Sequence, residues 1–332
     1  MNLPFPESEL FHRAESAFEN TALAVYAFQY ANCESYRLFS DSLKRNPENV
    51  RCIDEIPFLP VEFFKTRKIY CGSENPQMVF TSSGTTGSQT SSHFVHSVSL
   101  YEQSFLRGFE LAYGKPDECI FLFLLPSYLE RTGSALVYLA EKLKELSKHP
   151  ESNYYLNNYN ELAAKLGELN NNSTGKKVVL LGVTYALLDL AELYPQNLNN
   201  IVVMETGGMK GKRKEITRDE LHQTLRSAFH ITHVHSEYGM TELLSQAYSK
   251  GNGVFHCPPW MRILIRETSD PLSWAPTGKT GGVNIIDLAN IYSCSFISTS
   301  DLGKSSEDGS FEILGRFDFS DTRGCNLLYI QD

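Results

Sequence analysis

Phe80-Thr81-Ser82-Ser83-Gly84-Thr85-Thr86-Gly87-Ser88 follows directly on the apolar pair Met78-Val79. Met78–Thr81 reads as a short buried strand, and the Gly/Ser/Thr stretch after it as a loop over 82–92. Glycines let a backbone approach an anion closely, while Ser and Thr hydroxyls and exposed N–H groups donate to phosphate oxygens. The stretch is not a Walker A loop, because the Gly-Lys-Ser/Thr ending is missing. Alone, it would equally suit a solvated surface turn, so its meaning depends on its surroundings.

Outward from this loop, short apolar runs alternate with amphipathic ones. Residues 98–112 read as a helix, 119–125 (CIFLFLL) as a strand buried on both faces, and 134–148 as a second helix. An Asn-rich stretch over 152–160 reads as loop. Val178–Leu181 and Ile201–Met204 read as strands around a helix at 185–194. Thr217-x-x-Glu220 is a capping box that should open a helix at 218–229. N-terminal to the loop, apolar spacing over 7–31 predicts a single helix, separated from the rest of the chain by the breaker Pro57-Phe58-Leu59-Pro60.

Past residue 260 the pattern changes to short strands at Met261–Arg266, Val283–Asp287, Ser295–Ser298 and Phe311–Leu314, with Asp308-Gly309 turning between the last two. The expectation is an α/β fold with mostly parallel sheets covered by helices and a small antiparallel β lobe at the C-terminal end. The boundary is placed at 260, giving an α/β core over 1–260 and the lobe over 261–332.

Composition narrows the function. The chain has 332 residues, of which 42% are hydrophobic, and its net charge of -9 argues against nucleic acid as a partner. The seven cysteines are scattered with no C-x-x-C pair, which disfavours a zinc site or a disulfide framework. No apolar run is long enough to cross a bilayer, and MNLPFPESEL lacks the basic start of a signal peptide. A cytoplasmic protein with reduced thiols is expected.

Three further strings stand in order after the loop: Glu237-Tyr-Gly-Met-Thr-Glu242, Ser298-Thr-Ser-Asp-Leu-Gly303 and Gly315-Arg-Phe-Asp318. Each is weak alone, but the set is far stronger. Together with the loop they resemble the phosphate-binding, Tyr-Gly-x-Thr-Glu, Thr-Gly-Asp and Gly-Arg-x-Asp motifs of the adenylate-forming superfamily. Pro57-Phe-Leu-Pro-Val-Glu-Phe-Phe-Lys65, Pro126-Ser-Tyr-Leu-Glu-Arg131, Gly207-Gly-Met-Lys-Gly-Lys-Arg-Lys214 and Arg323-Gly-Cys-Asn-Leu-Leu328 extend the likeness. They resemble the acyl-protein synthetases of the LuxE type, over nearly the whole chain.

That resemblance implies an ATP- and Mg²⁺-dependent ligase that activates a fatty acid as acyl-AMP. Ser82, Ser83, Gly84, Thr85, Thr86 and Gly87 would cradle phosphates. Gly207 and Gly208 would let the backbone pass the adenine, with Tyr238 stacked on it beside Gly239. Thr241 would touch the α-phosphate and Glu242 would hold Mg²⁺. Asp301 would accept from the ribose hydroxyls, with Arg316 reaching ribose or phosphate. Cys325 would receive the acyl group as a thioester, its thiolate favoured by Arg323, and a reductase or acyl-carrier protein would be the onward partner. His93, His96, His233 and His235 lie near these strings as candidate bases, although alternating strand histidines are more often structural.

The sequence also departs from the superfamily pattern. Ser88-Gln89-Thr90 replaces the usual Pro-Lys-Gly, Ser300 replaces a Gly, and the mobile C-terminal domain with its lysine is expected to be largely missing. Either another cation takes that role, with Lys210 and Lys212 of the basic run as candidates, or adenylation is slow or depends on a partner. Loss of that domain favours transfer to protein over ligation to CoA. An acyl- or aryl-CoA ligase of phenylacetate type stays open, as does a non-catalytic nucleotide-binding carrier or regulatory subunit.

Overall fold

The computed structural model describes residues 3–72, 74–82, 90–126, 133–172, 175–209 and 211–317. Its helices are α1 (Phe18–Asn32), α2 (Glu34–Ser42), α3 (Phe63–Thr66), α4 (Val98–Tyr113), α5 (Ala135–Ser147), α6 (Tyr159–Asn171), α7 (Thr184–Leu193) and α8 (Arg218–Phe229). The strands are β1 (Leu59–Pro60), β2 (Met78–Thr81), β3 (Ser92–Val95), β4 (Cys119–Leu124), β5 (Asn153–Tyr155), β6 (Lys177–Val183) and β7 (Ile201–Thr206). They continue through β8 (His235–Tyr238), β9 (Ala247–Ser249), β10 (Val254–His256), β11 (Met261–Arg266), β12 (Gly281–Asp287), β13 (Phe296–Ser305) and β14 (Phe311–Arg316).

Twelve strands form one sheet in the order β11-β12-β13-β14-β10-β9-β8-β7-β6-β4-β5, with β1 paired to β13. From β5 to β8 the neighbours run parallel. Every residue of β4 is buried, as a Cys-Ile-Phe-Leu-Phe-Leu run covered by helices on both faces requires. Beyond β8 the neighbours run antiparallel, and the strands past residue 260 join this same sheet through β14 and β10. The α/β class implied by the sequence is the one observed. No helix among the described residues is long and apolar enough to cross a membrane.

Three local expectations are corrected. Residues 7–31 are not one helix: two 3₁₀ turns, Glu7–His12 and Glu15–Ala17, precede α1. Burial of Leu10 and the edge-on packing of Phe11 on Trp260 (4.7 Å between centroids) override the helical spacing there. The stretch 152–160 contains the edge strand β5 and runs into α6, whose Leu162, Leu166 and Leu169 form the buried stripe that the Asn-rich composition hides. The loop after β2 is shorter than 82–92, because Ser92–Val95 returns as β3, antiparallel to β2 with Thr81 opposite Ser92.

Candidate functional site

The hairpin of β2 and β3 closes the base of the Gly/Ser/Thr loop. Ser82 N–H donates to the Ser91 carbonyl at 3.1 Å, and Ser91 N–H donates back to Ser82 Oγ at 2.9 Å. Ser83, Gly84, Thr85, Thr86 and Gly87 lie outside the described residues, as do Lys210, Cys325 and residues 127–132. Strand β3 meets the Tyr-Gly-x-Thr-Glu string through His93 and the Thr241 carbonyl, and the Ser91 side chain acts on the Glu242 carboxyl beside it. Glu242 is buried, and that burial lifts its carboxyl above the usual range against the Ser91 side chain and the charges of Lys65 and Arg316.

One residue earlier, the Thr241 carbonyl lies 2.9 Å from His93 Nδ1, and His93 Nε2 lies 2.9 Å from Ser293 Oγ. A carbonyl only accepts, so Nδ1 carries the proton and Nε2 accepts from Ser293. Burial pushes His93 down to about 4 and keeps it neutral. His235 is also held near 4 by burial, with Nδ1 at 3.0 Å from Tyr113 Oη. His93 is thus a brace for Thr241, with both ring nitrogens occupied.

The strand β8 delivers Tyr238 to the antiparallel side of the sheet. Its ring packs edge-on against Phe255 and Phe311, and its hydroxyl donates to Asp301 Oδ2 at 2.7 Å. Asp301 and Arg316 are ladder partners across β13 and β14, which places Arg316 Nε 3.3 Å from Asp301 Oδ1. Burial raises the Asp301 carboxyl against the Tyr238 bond and the nearby arginines 316, 218 and 266. The Tyr238, Asp301 and Arg316 side chains therefore form one continuous polar chain, and the charge of Arg316 reaches Glu242.

At the end of β7, Gly207 has φ +72°, a left-handed backbone that favours glycine, and a Cβ on Gly208 would meet nothing within 4 Å. Thr184 Oγ1 donates to the Gly207 carbonyl at 3.1 Å and fixes this exposed strand end. Behind it sits the buried Glu205. Burial pushes its carboxyl up, but the nearby His222, 3.6 Å away, and the charge of Arg218, 3.4 Å away, outweigh that and leave it below the usual range. In the basic run, Arg213 is committed to Asp189 and Glu192 on α7.

Gly239 is tight: a Cβ there would lie 2.5 Å from Glu237 Oε1. Glu237, which accepts from Thr206 Oγ1, edges a cavity of about 10 Å³ lined otherwise by apolar and aromatic side chains such as Phe109, Phe121, Leu139 and Tyr248. Burial lifts its carboxyl to about 7. Unfolded glutamate ionises near 4.3, so folding retains a proton between those values. The stability Glu237 brings at acid pH is lost as pH rises through 7. Glu237→Gln, neutral throughout, should be about 3–4 kcal/mol more stable than wild type at pH 8 and no more stable at pH 4. Urea unfolding at both pH values checks this, and an equal difference at both would contradict it.

Sequence reasoning missed the frame that holds the Thr241-Glu242 turn. The buried Asp287 carboxylate accepts from Leu244 N–H (3.0 Å) and Ser245 N–H (2.9 Å) at Oδ2, and from Ser245 Oγ (2.6 Å) and Ala289 N–H (3.1 Å) at Oδ1. Asn290 adds Nδ2 to the Glu242 carbonyl at 2.7 Å, and Gln29 of α1 donates in turn to the Asn290 carbonyl at 2.9 Å. The available signal was Asp287 and Asn290 standing at the end of an apolar strand run, where polar residues turn a chain.

A family model described as acyl-protein synthetase, LuxE, matches residues 4–332. The chain belongs to the LuxE acyl-protein synthetase family. Within it, a long-chain-fatty-acid–luciferin-component ligase of Aliivibrio fischeri is 22% identical over 350 residues, covering 97% of this chain and 90% of that protein. The corresponding ligase of Photorhabdus luminescens is 31% identical over 78 residues, 23% of this chain and 66% of that one. Among solved structures, 2-hydroxyisobutyryl-CoA ligase, in an open conformation with 2-HIB-AMP and CoA, superposes with a TM-score of 0.66 at 12% identity over 90% of this chain and 69% of that one. ATP-bound MatB from Rhodopseudomonas palustris superposes with a TM-score of 0.55 at 15% identity over 74% of this chain. The match spans about half of MatB, 49% of its length. At such identities these likenesses define the fold alone.

Proposed function

We propose that this LuxE-family protein activates a fatty acid with ATP, forming acyl-AMP and pyrophosphate, and passes the acyl group to the thiol of Cys325. The observation that carries the reading is the contact of β3 with the Thr241-Glu242 turn through His93, together with that of Tyr238 with Asp301 and Arg316. The names of the curated relatives, which are long-chain-fatty-acid ligases, support the acid class.

In this reading the open strand end at Gly207 and Gly208 and the Tyr238 ring border the adenine, beside Gly239. Asp301 exchanges its bonds to Tyr238 and Arg316 for the ribose hydroxyls. Ser82 to Gly87 wrap the phosphates, and Thr241 faces the α-phosphate. Glu242 suits Mg²⁺ as a buried carboxylate whose charge burial disfavours and a bound cation would offset. One protein carboxylate plus phosphate oxygens is a usual environment for that ion, which offsets phosphate charge when bound. A reductase or acyl-carrier protein would take the acyl group onward from the thioester.

Incubation with labelled fatty acid, ATP and Mg²⁺ without CoA tests the reading. Wild type should acquire hydroxylamine-sensitive label that survives denaturation, Cys325→Ser should acquire none, and both should catalyse acid-dependent ATP–pyrophosphate exchange. Label that depends on CoA, or exchange absent over a panel of acids, would reject it.

A further inference from the structure

The string Pro57 to Lys65 is among those that resemble the family, yet none of the roles above uses it. It runs along the site. Leu59 and Pro60 pair in parallel with Ile297 and Ser298, and Val61 N–H donates to the Ser298 carbonyl at 2.9 Å. Ser300 Oγ, adjacent to Asp301, donates to Glu62 Oε1 at 2.9 Å. Phe64 is buried edge-on against His93, with centroids 5.8 Å apart, and His93 braces Thr241. The short helix α3 is thereby fixed against two of the four strings, and Lys65 projects from it exposed.

The charges of Lys65 and Arg316 both oppose the rise that burial imposes on the Glu242 carboxyl. Arg316 is engaged with Asp301 at 3.3 Å, whereas Lys65 makes no ion pair among the described residues. We propose that Lys65 supplies the positive charge facing the phosphate chain of ATP during adenylation, in place of the lysine that the Ser88-Gln89-Thr90 ending lacks. This rests on the adenylation reading above. In that step a carboxylate oxygen of the acid attacks the α-phosphorus. The bond from that phosphorus to the bridging oxygen breaks, and its electron pair leaves with pyrophosphate. No proton moves, so the need is for fixed positive charge at the phosphate oxygens. A lysine ammonium on a flexible stem meets that need without bidentate geometry.

Lys65→Met and Lys65→Arg test the assignment against wild type. Lys65→Met should lose about 10²-fold in kcat/KM for MgATP in acid-dependent pyrophosphate exchange and should bind MgATP more weakly at equilibrium. Lys65→Arg should stay within about 10-fold of wild type, since it keeps the charge. Given ready-made acyl-AMP, Lys65→Met should form thioester as wild type does, because the phosphate chain is already gone. Exchange and MgATP affinity of Lys65→Met within about 2-fold of wild type would overturn the role of Lys65 alone. So would an equal loss with ready-made acyl-AMP. Absence of exchange in wild type would overturn the adenylation reading and this inference with it.

Discussion

Asp287→Ala is expected to cost about 3–5 kcal/mol of folding stability and to abolish adenylation together with it. The carboxylate collects four donors, two of them backbone N–H groups of Leu244 and Ser245 in the turn after Glu242. All four are buried with it, and alanine would leave them without an acceptor. Desolvation lifts the Asp287 carboxyl to about 6, so at neutral pH it stands ionised as a pure acceptor. Asp287→Asn is nearly isosteric, yet it aims an NH₂ group at donors and should recover only part of the loss. Ser245→Ala removes one of the four bonds, and with it the Ser245 Oγ contacts to Ser104 and Trp260, and should cost about 1–2 kcal/mol. Urea unfolding of the three variants orders them. Asp287→Ala within about 1 kcal/mol of wild type would mean that the turn is held from elsewhere.

The elements that the sequence announced are those whose side chains state their surroundings locally. The capping box of α8 is formed as read, with Thr217 N–H donating to Glu220 Oε2 at 2.8 Å and Glu220 N–H to Thr217 Oγ1 at 3.2 Å. The all-apolar β4 was equally plain, since only burial on both faces accounts for six such residues in a row. What misled was composition. Asn153 to Asn158 looks like loop by residue type, but β5 needs only three residues at an edge, and a single leucine stripe suffices for α6. At the N-terminus the apolar spacing was real, and the partners were not local: Phe11 finds Trp260, far along the chain.

The candidate site divides in the same way. Tyr238, Glu242, Asp301 and Arg316 were legible because short strings carry them, and ladder pairing of β13 with β14 explains why two distant strings meet. Glu62, Asp287 and Asn290 were not legible, because their importance lies in which distant backbone groups they hold. Nothing in a one-dimensional pattern tells Asp287 that Leu244 and Ser245 will present three donors to it. The sign of a buried carboxyl's effect is likewise a property of the fold: Glu237 and Glu242 sit in nearby positions of one string, and both are lifted because helices and strands from elsewhere strip water from them.

That lift makes Glu242→Gln the most diagnostic substitution in the site, because activity and stability should move in opposite directions. If Glu242 holds the metal that offsets the phosphate charge, the amide should lower kcat/KM for acid-dependent pyrophosphate exchange by about 10³-fold, equivalent to about 4 kcal/mol of transition-state stabilisation. The folding effect has the other sign. The folded chain ionises Glu242 at a higher pH than the unfolded chain, with burial as the main cause. Its contribution to stability is full below the unfolded value and is lost as pH rises through the folded one. At pH 8 wild type therefore carries a buried charge that the amide avoids, so Glu242→Gln should unfold at higher urea than wild type. At pH 4 the two should unfold together. The loop base stays closed, since Ser82 and Ser91 hold it through their own hydrogen bonds. A variant that loses activity and stability in parallel at pH 8 would place Glu242 among the structural supports of the turn, alongside Asp287, and leave the metal to another residue.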